Sequence, residues 1–188
     1  MFSFRPHVTP QDVFLLLKCD VLHPIRGSSD NFILALDIKK AFDTIFNDSI
    51  MKCLESINCG RRIYEFIRSF LTHRRATICL GSTRSSTFNL PNRGTPQEAI
   101  LSPILYNVVM HNLAIELQED SDLSVAIHAH DITIWTLRGS CMEKQDTLQR
   151  AVDKILAFMV GAGIKCSPSK TKLIRVRGKY AKKTILYQ

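Results

Sequence analysis

Residues 31–38 read NFILALDI, a run that is apolar except at its first residue and at Asp37. A stretch this short and this apolar predicts a buried strand, since a helix needs greater length to bury one face. Side chains alternate along a strand, so Asp37 shares a face with Ile33 and Ala35. A carboxylate on such a face needs a charged partner or a metal ion to offset its lost hydration. Any fold for this chain has to bring a cation to Asp37.

A second constraint lies in AIHAHDITIW, residues 126–135. Ser124–His128 and Ile132–Leu137 alternate around a tight bend at Ala129-His130-Asp131, which predicts a hairpin. If its strands neighbour 31–38, Asp37 and Asp131 meet at one edge of the sheet. Paired carboxylates there suit Mg²⁺, a hard cation that prefers oxygen ligands and often brings substrate phosphates with it. His128 and His130, sharing a strand face, also suggest a zinc-binding His-x-His. Such a site needs further His or Asp ligands, which the remaining sequence does not supply.

The other elements follow from periodicity and capping signals. Thr9-Pro10-Gln11-Asp12 predicts a helix start, with Val13, Leu16 and Leu17 facing inward. Asp48 is expected to cap a helix that runs to Asn58 and stops at Gly60. Arg61–His73 places Ile63, Phe66, Ile67, Phe70 and Leu71 on one stripe. Ala76–Leu80 and Thr83–Leu90 flank Gly81-Ser82 as a hairpin, and Ala99–Gln118 predicts a long buried helix. Gln145–Met159 carries Leu148, Val152, Ile155, Leu156 and Met159 on one face, and Lys172–Arg177 closes the set as a strand. The order gives an α+β fold, an antiparallel sheet with helices packed on one face.

At 188 residues and 45% hydrophobic content the chain suits one domain with a real core. Its longest uncharged apolar runs fall well below the roughly 18–20 residues of a membrane span, so no membrane is expected. Met1–Pro10 lacks an apolar core of signal-peptide length. The six cysteines are scattered without a C-x-x-C pair. Reduced thiols in an intracellular compartment, cytoplasmic or nuclear rather than secreted, are therefore expected. The net charge of +8 is segregated: residues 161–188 hold eight Lys/Arg and no acid, and residues 61–93 hold seven arginines against Glu65. Segregation of this kind fits a polyanionic partner.

Four segments, LALDIKKAFD (34–43), NRGTPQEAILSPILYNVVM (92–110), AIHAHDITIW (126–135) and AGIKCSPSKTKL (162–173), occur in order at suitable spacing. Together they resemble the successive palm motifs of a reverse transcriptase of the non-LTR (LINE-type) retrotransposon class. SFRPHVTPQDVFLLL at the start resembles the segment leading into that palm. The resemblance implies a single partial reverse transcriptase domain: a finger-to-palm lead-in over 1–30, palm motifs over 31–178, and the start of a truncated thumb or tail over 179–188. Partial fingers, a missing thumb and no endonuclease domain would make it a truncated, degenerate element copy.

The resemblance also implies roles. Asp37 and Asp131 would hold the catalytic Mg²⁺ or Mn²⁺ ions, and Lys170 would sit near the pyrophosphate leaving group. Phe42 would form the steric gate under the nucleotide sugar, and Gly94, Pro96 and Gln97 would shape the nucleotide and template pocket. RNA template, DNA primer and dNTP would be the partners. Arg61, Arg62, Arg74, Arg75, Lys172, Arg175 and Arg177 are the candidate phosphate contacts on the basic segments. Two positions depart from the pattern. His130 replaces the first aspartate of the pair expected to bridge both metals. Glu98 stands where the class has glycine, adding bulk and negative charge beside a triphosphate pocket. The expectation is an RNA-directed DNA polymerase domain whose activity is lost in this copy. Its alternative is a non-catalytic nucleic-acid-binding remnant of a transposable element.

Overall fold

Asn31–Lys39 forms the central strand β1 of the computed structural model, which describes residues 10–22, 30–136 and 138–176. The lead-in residues 1–9, Leu137, Arg177 and the tail 179–188 lie outside the described residues. One edge of β1 pairs antiparallel with β7 (Asp131–Thr136), which pairs in turn with β6 (Leu123–His128). Its other edge is shared by β8 (Lys165–Cys166) near Asp37 and β9 (Lys172–Val176) further back. The result is a five-stranded sheet with every described pairing antiparallel.

The register explains why one sheet face is core. Leu34 lies opposite Ile134, Leu36 opposite Ile132, and Ile127 opposite Ile132 on the far side. These residues join Phe32 and Ile38 beneath α5 (Leu101–Gln118) and α6 (Cys141–Ala162). Helix α6 starts on a capping box between Ser140 and Glu143, and Gly163 ends it in the left-handed conformation at φ 74°. Behind α5 pack α3 (Asn47–Ser56) and, against α3, α4 (Arg61–Leu71). The expected helical layer on one face is therefore present, with α1 added on the other.

The opposite face is closed only at one end. There α1 (Pro10–Leu17) and its π-helical continuation Lys18–Leu22 bring Val21 onto Trp135 and Ala126. The Trp135 indole donates to Asp20 Oδ2 at 3.1 Å. Beyond this patch the face carries half-buried Ala35, Thr133 and Asp37 and exposed Asp131.

Several local expectations are corrected. Leu16 is exposed, because only Val13 and Leu17 reach the patch under α1. Asp48 lies inside α3, whose N-cap is Phe46 with no side-chain cap. Gly60, at φ 84°, is the N-cap of α4, and the turn after α3 runs through Asn58 at φ 49°. On α4 only Ile67 and Leu71 are buried, while Ile63 and Phe66 are exposed, since α4 touches the core along one edge. Leu156 is likewise exposed on α6, and Ala151 takes the inward position. The hairpin of 75–89 consists of two short ladders, β2 (Arg75–Ala76) with β5 (Phe88–Asn89) and β3 (Cys79–Leu80) with β4 (Thr83–Arg84).

Candidate active site

Asp37 and Asp131 are direct register partners across β1 and β7, which puts both carboxylates on the open face at one end of the sheet. The turn between β6 and β7 contains two residues, Ala129 and His130, with Ala129 at φ 51°. A positive φ at the first turn residue matches the right-handed strand twist that two-residue hairpins require. The backbone N–H of Ile38 donates to the His130 carbonyl at 2.8 Å, so the turn is fastened to β1. His130 Nε2 lies 3.9 Å from Asp37 Oδ1. One ligand atom each from Asp37, His130 and Asp131 lie within 4.8 Å of one another. His128 is the last residue of β6 rather than a companion of His130 on a continuous strand, and it stands outside this cluster.

The cation that Asp37 requires is Lys170, with Nζ 3.3 Å from Oδ2. Lys170 is positioned by the 3-10 turn Pro168–Lys170, itself anchored where the Ser167 N–H donates to the Asp37 carbonyl at 2.8 Å. Asp37 is thus held twice, by its own backbone through Ser167 and by its carboxylate through Lys170. Sequence reasoning missed the Ser167 contact. Its signal was Ser-Pro-Ser placed just before the lysine.

Phe42, Pro96 and Gln97 come together on a cavity of about 450 Å³ that Glu98 and Lys40 also line. α2 (Ala41–Thr44) presents Phe42, whose ring packs against Tyr106 with centroids 5.0 Å apart. Gln97 Nε2 donates to Asp43 Oδ1 at 2.9 Å, which ties the two walls together. Gly94 stands behind the wall, its N–H on the Ile45 carbonyl at 2.7 Å. A Cβ there would meet the Asp43 carbonyl oxygen at 2.7 Å, and φ is +70°, so only glycine fits. Asp43 and Asn47 were not anticipated. Buried Asn47 donates to the Leu71 carbonyl at 2.9 Å and to Asn92 Oδ1 at 3.0 Å, fixing the loop that carries Gly94. Glu98 sits at φ 61°, a left-handed conformation that explains a preference for glycine independently of charge.

Among the basic candidates, Arg61 and Arg62 are exposed at the start of α4, Arg75 is exposed on β2, and Lys172 is exposed on β9. Arg74 differs: its guanidinium turns inward and donates to the carbonyls of Arg93 at 2.6 Å and Gly94 at 2.8 Å. It clamps the loop rather than standing free for phosphate. Arg175 forms an ion pair with Asp30 on the far side of the sheet edge. Arg177 lies outside the described residues.

A family profile described as reverse transcriptase (RNA-dependent DNA polymerase) matches residues 3–186. The chain belongs to the reverse transcriptase family. Its similar relatives include non-LTR retrotransposon polymerases. It is 27% identical over 158 residues to the RNA-directed DNA polymerase from mobile element jockey of Drosophila melanogaster, covering 81% of this chain and 17% of that protein. It is 29% identical over 112 residues to a retrovirus-related Pol polyprotein from type-1 retrotransposable element R2 of Popillia japonica, covering 60% of this chain and 18% of that protein. A probable RNA-directed DNA polymerase from transposon BS of Drosophila melanogaster is 25% identical over 90% of this chain and 19% of its own length. This reverse transcriptase domain therefore spans about a fifth or less of the curated relatives it matches. In fold it is similar to an apo telomerase from Candida tropicalis truncated from its C-terminal domain. The TM-score is 0.69 at 18% identity, over 95% of this chain and 38% of that one.

Members of the reverse transcriptase family use divalent metal ions, and the donor set here fits one such ion. Two carboxylates balance a divalent charge, and the imidazole supplies a third donor within reach. Position 130 carries an imidazole and no carboxylate, and Lys170 already places positive charge on Asp37. Among the described residues no helix is long and apolar enough to cross a membrane.

Proposed function

We propose that this domain is the palm of an RNA-directed DNA polymerase, built for nucleotidyl transfer to a primer 3′-OH, and that His130 leaves it strongly impaired. The observation that carries the reading is the pairing of Asp37 with Asp131 at one sheet end, with Lys170 on the first and His130 beside it. Phosphoryl transfer needs in-line positioning and neutralisation of developing negative charge. Divalent ions, Mg²⁺ or Mn²⁺, supply that neutralisation when bound, polarising the attacking and leaving oxygens. Asp37 and Asp131 are the residues that would hold them. Lys170, with an exposed ammonium on a flexible stem, can release Asp37 and turn to the leaving pyrophosphate, holding its charge or giving it a proton from Nζ. Phe42 offers an apolar floor beneath the sugar of a dNTP, and Pro96 and Gln97 form the wall facing it. RNA template and DNA primer would be held by exposed Arg61, Arg62, Arg75 and Lys172, each neutralising phosphate.

His130 weakens this arrangement by removing one negative charge. A unit charge pair at about 4 Å is worth on the order of 4 kcal/mol at an effective dielectric near 20. Losing half of that at each of two ions comes to about a thousandfold, since about 1.4 kcal/mol is tenfold. Primer extension on an RNA template, with this palm placed in a full-length related enzyme, tests the reading. The expected result is no extension as it stands, little with Glu98→Gly, a gain on the order of a thousandfold with His130→Asp, and more with both. Extension by the unreverted palm near the double revertant's rate would remove the impairment. A double revertant that never extends would remove the polymerase reading.

A further inference from the structure

We propose that the Asp37–His130–Asp131 cluster takes a single first-row transition-metal divalent cation, Ni²⁺ or Zn²⁺ above Mn²⁺, in preference to Mg²⁺. The inference rests on the palm reading in placing the metal centre at this sheet end, and goes beyond it in the identity and number of the ions. Position comes first. The backbone of His130 is fixed, because its carbonyl accepts from the Ile38 N–H at 2.8 Å within a two-residue turn. Asp131 is fixed by register to Asp37, so two donors come from paired strands and the third from the turn next to them.

Spacing comes second. A tetrahedral Zn²⁺ with bonds of about 2.0–2.1 Å holds neighbouring ligands about 3.4 Å apart, and six-coordinate ions hold them at a similar or shorter spacing. The Asp37–His130 separation of 3.9 Å needs a closure of about 0.5 Å, within the reach of side-chain rotation. His130 and Asp131 are both exposed, and the same rotation would draw in the third donor, which lies within 4.8 Å of the others.

Donor chemistry decides the selectivity. Mg²⁺ asks for near-ideal octahedral oxygen coordination, whereas imidazole favours later first-row metals in the order Mn²⁺ below Ni²⁺ and Cu²⁺. Once Lys170 turns away from Asp37, the two carboxylates and one imidazole are electrically balanced by one divalent ion. A second ion would add positive charge beside Lys170, which lies 3.3 Å from Asp37, with no carboxylate at position 130 to bridge. No thiolate competes within the cluster. Cys166, the register partner of Ile38, points its thiol to Met159 Sδ at 3.1 Å, and burial pushes its pKa up.

The test uses the whole chain and Mn²⁺ as probe. Paramagnetic resonance counts free Mn²⁺, and electron spin echoes read coupling to ¹⁴N of a ligating imidazole. The wild type should bind one Mn²⁺ with ¹⁴N coupling, should lose it to Ni²⁺ at lower concentration, and should yield it to Mg²⁺ only at about tenfold or greater excess. His130→Ala should lose the coupling and weaken Mn²⁺ binding, whereas His128→Ala should keep both. His130→Asp should lose the coupling while Mg²⁺ becomes an even competitor. Circular dichroism confirms that each variant is folded. A wild type without ¹⁴N coupling, or one that Mg²⁺ empties at equal concentration, overturns the selectivity and leaves the palm reading intact. Loss of coupling in His128→Ala alone overturns the ligand assignment. Failure of folded His130→Asp to hold any divalent ion overturns the palm reading as well.

Discussion

One face of the five-stranded sheet buries Phe32, Leu36, Ile132 and Ile134 under helices α5 and α6, whereas on the other, among the described residues, the buried cluster is the small one of Val21, Ala126 and Trp135. Adjacent residues of the same strand therefore live under different rules. Leu36 is 4% exposed and surrounded by aliphatic side chains, and its neighbour Asp37 faces Asp131, His130 and Lys170 on the open side. Period-two alternation alone produces this division. The packed face holds the strands in register, and register is what makes two carboxylates from distant parts of the chain meet. Precision at the site is thus supplied from behind it.

Paired substitutions at these neighbours test the division, and they carry the largest stability effect. Leu36→Ala should destabilise the domain by roughly 2–5 kcal/mol, through lost burial and the cavity left behind. Asp37→Asn should change stability by no more than about 1 kcal/mol, because its ion pair with exposed Lys170 is a weak contributor. Metal binding should follow the opposite order, retained in the folded fraction of Leu36→Ala and lost in Asp37→Asn. Urea unfolding and Mn²⁺ titration of the two variants give both readings. Equal destabilisation by both would show that the open face is as structural as the packed one.

Most of this division was legible in the sequence, because it depends on alternation and on motif order. The strand over 31–38, the tight bend at 129–131 and the meeting of Asp37 with Asp131 all follow from those signals. Expectations failed where an apolar stripe was taken as wholly inward. Ile63 and Phe66 on α4, Leu16 on α1 and Leu156 on α6 obey helical periodicity yet lie beyond the width of the core they face. Charge was a poor guide to exposure too. Arg74 and Arg75 are identical neighbours, but only Arg74 finds two backbone carbonyls to satisfy it inside the loop. Backbone conformation at Lys40 and Glu98 was not readable at all, since neither residue type announces a positive φ.

Glu98 sharpens the comparison on the open side, where the constraint falls on backbone rather than packing. Its side chain is exposed at the cavity rim, so no buried contact opposes its replacement. Its φ of 61° is unfavourable for a residue with a Cβ. The left-handed penalty of about 1–2 kcal/mol, less the roughly 0.5–1 kcal/mol of extra entropy that glycine loses on folding, leaves a net gain. Glu98→Gly should therefore stabilise the domain by about 0.5–1 kcal/mol in urea unfolding. Glu98→Ala, which removes the charge but keeps the Cβ, should not. Equal stabilisation by both would assign the effect to charge instead of backbone.

Tyr106 is the packed face's own exception, and it gives the subtlest test. The residue is 0% exposed on α5, its ring lies against Phe42, and its hydroxyl has no hydrogen-bond partner among the described residues. Burial pushes its pKa up, and the negative charge of Asp131 on the other face adds to the shift. A phenol whose folded pKa is raised binds its proton more tightly when folded. Stability is thus full below the ordinary tyrosine pKa of about 10 and is lost as pH rises beyond it. Tyr106→Phe should raise stability by about 1 kcal/mol at neutral pH, by deleting a buried polar group that lacks compensation. Above pH about 10 the advantage should widen, because the variant has no phenol to ionise on unfolding. Chemical denaturation of both proteins at neutral and alkaline pH measures the two parts separately. A Phe variant less stable than wild type at neutral pH would mean that the hydroxyl is bonded, and that the packed face contains a polar contact reaching toward the site.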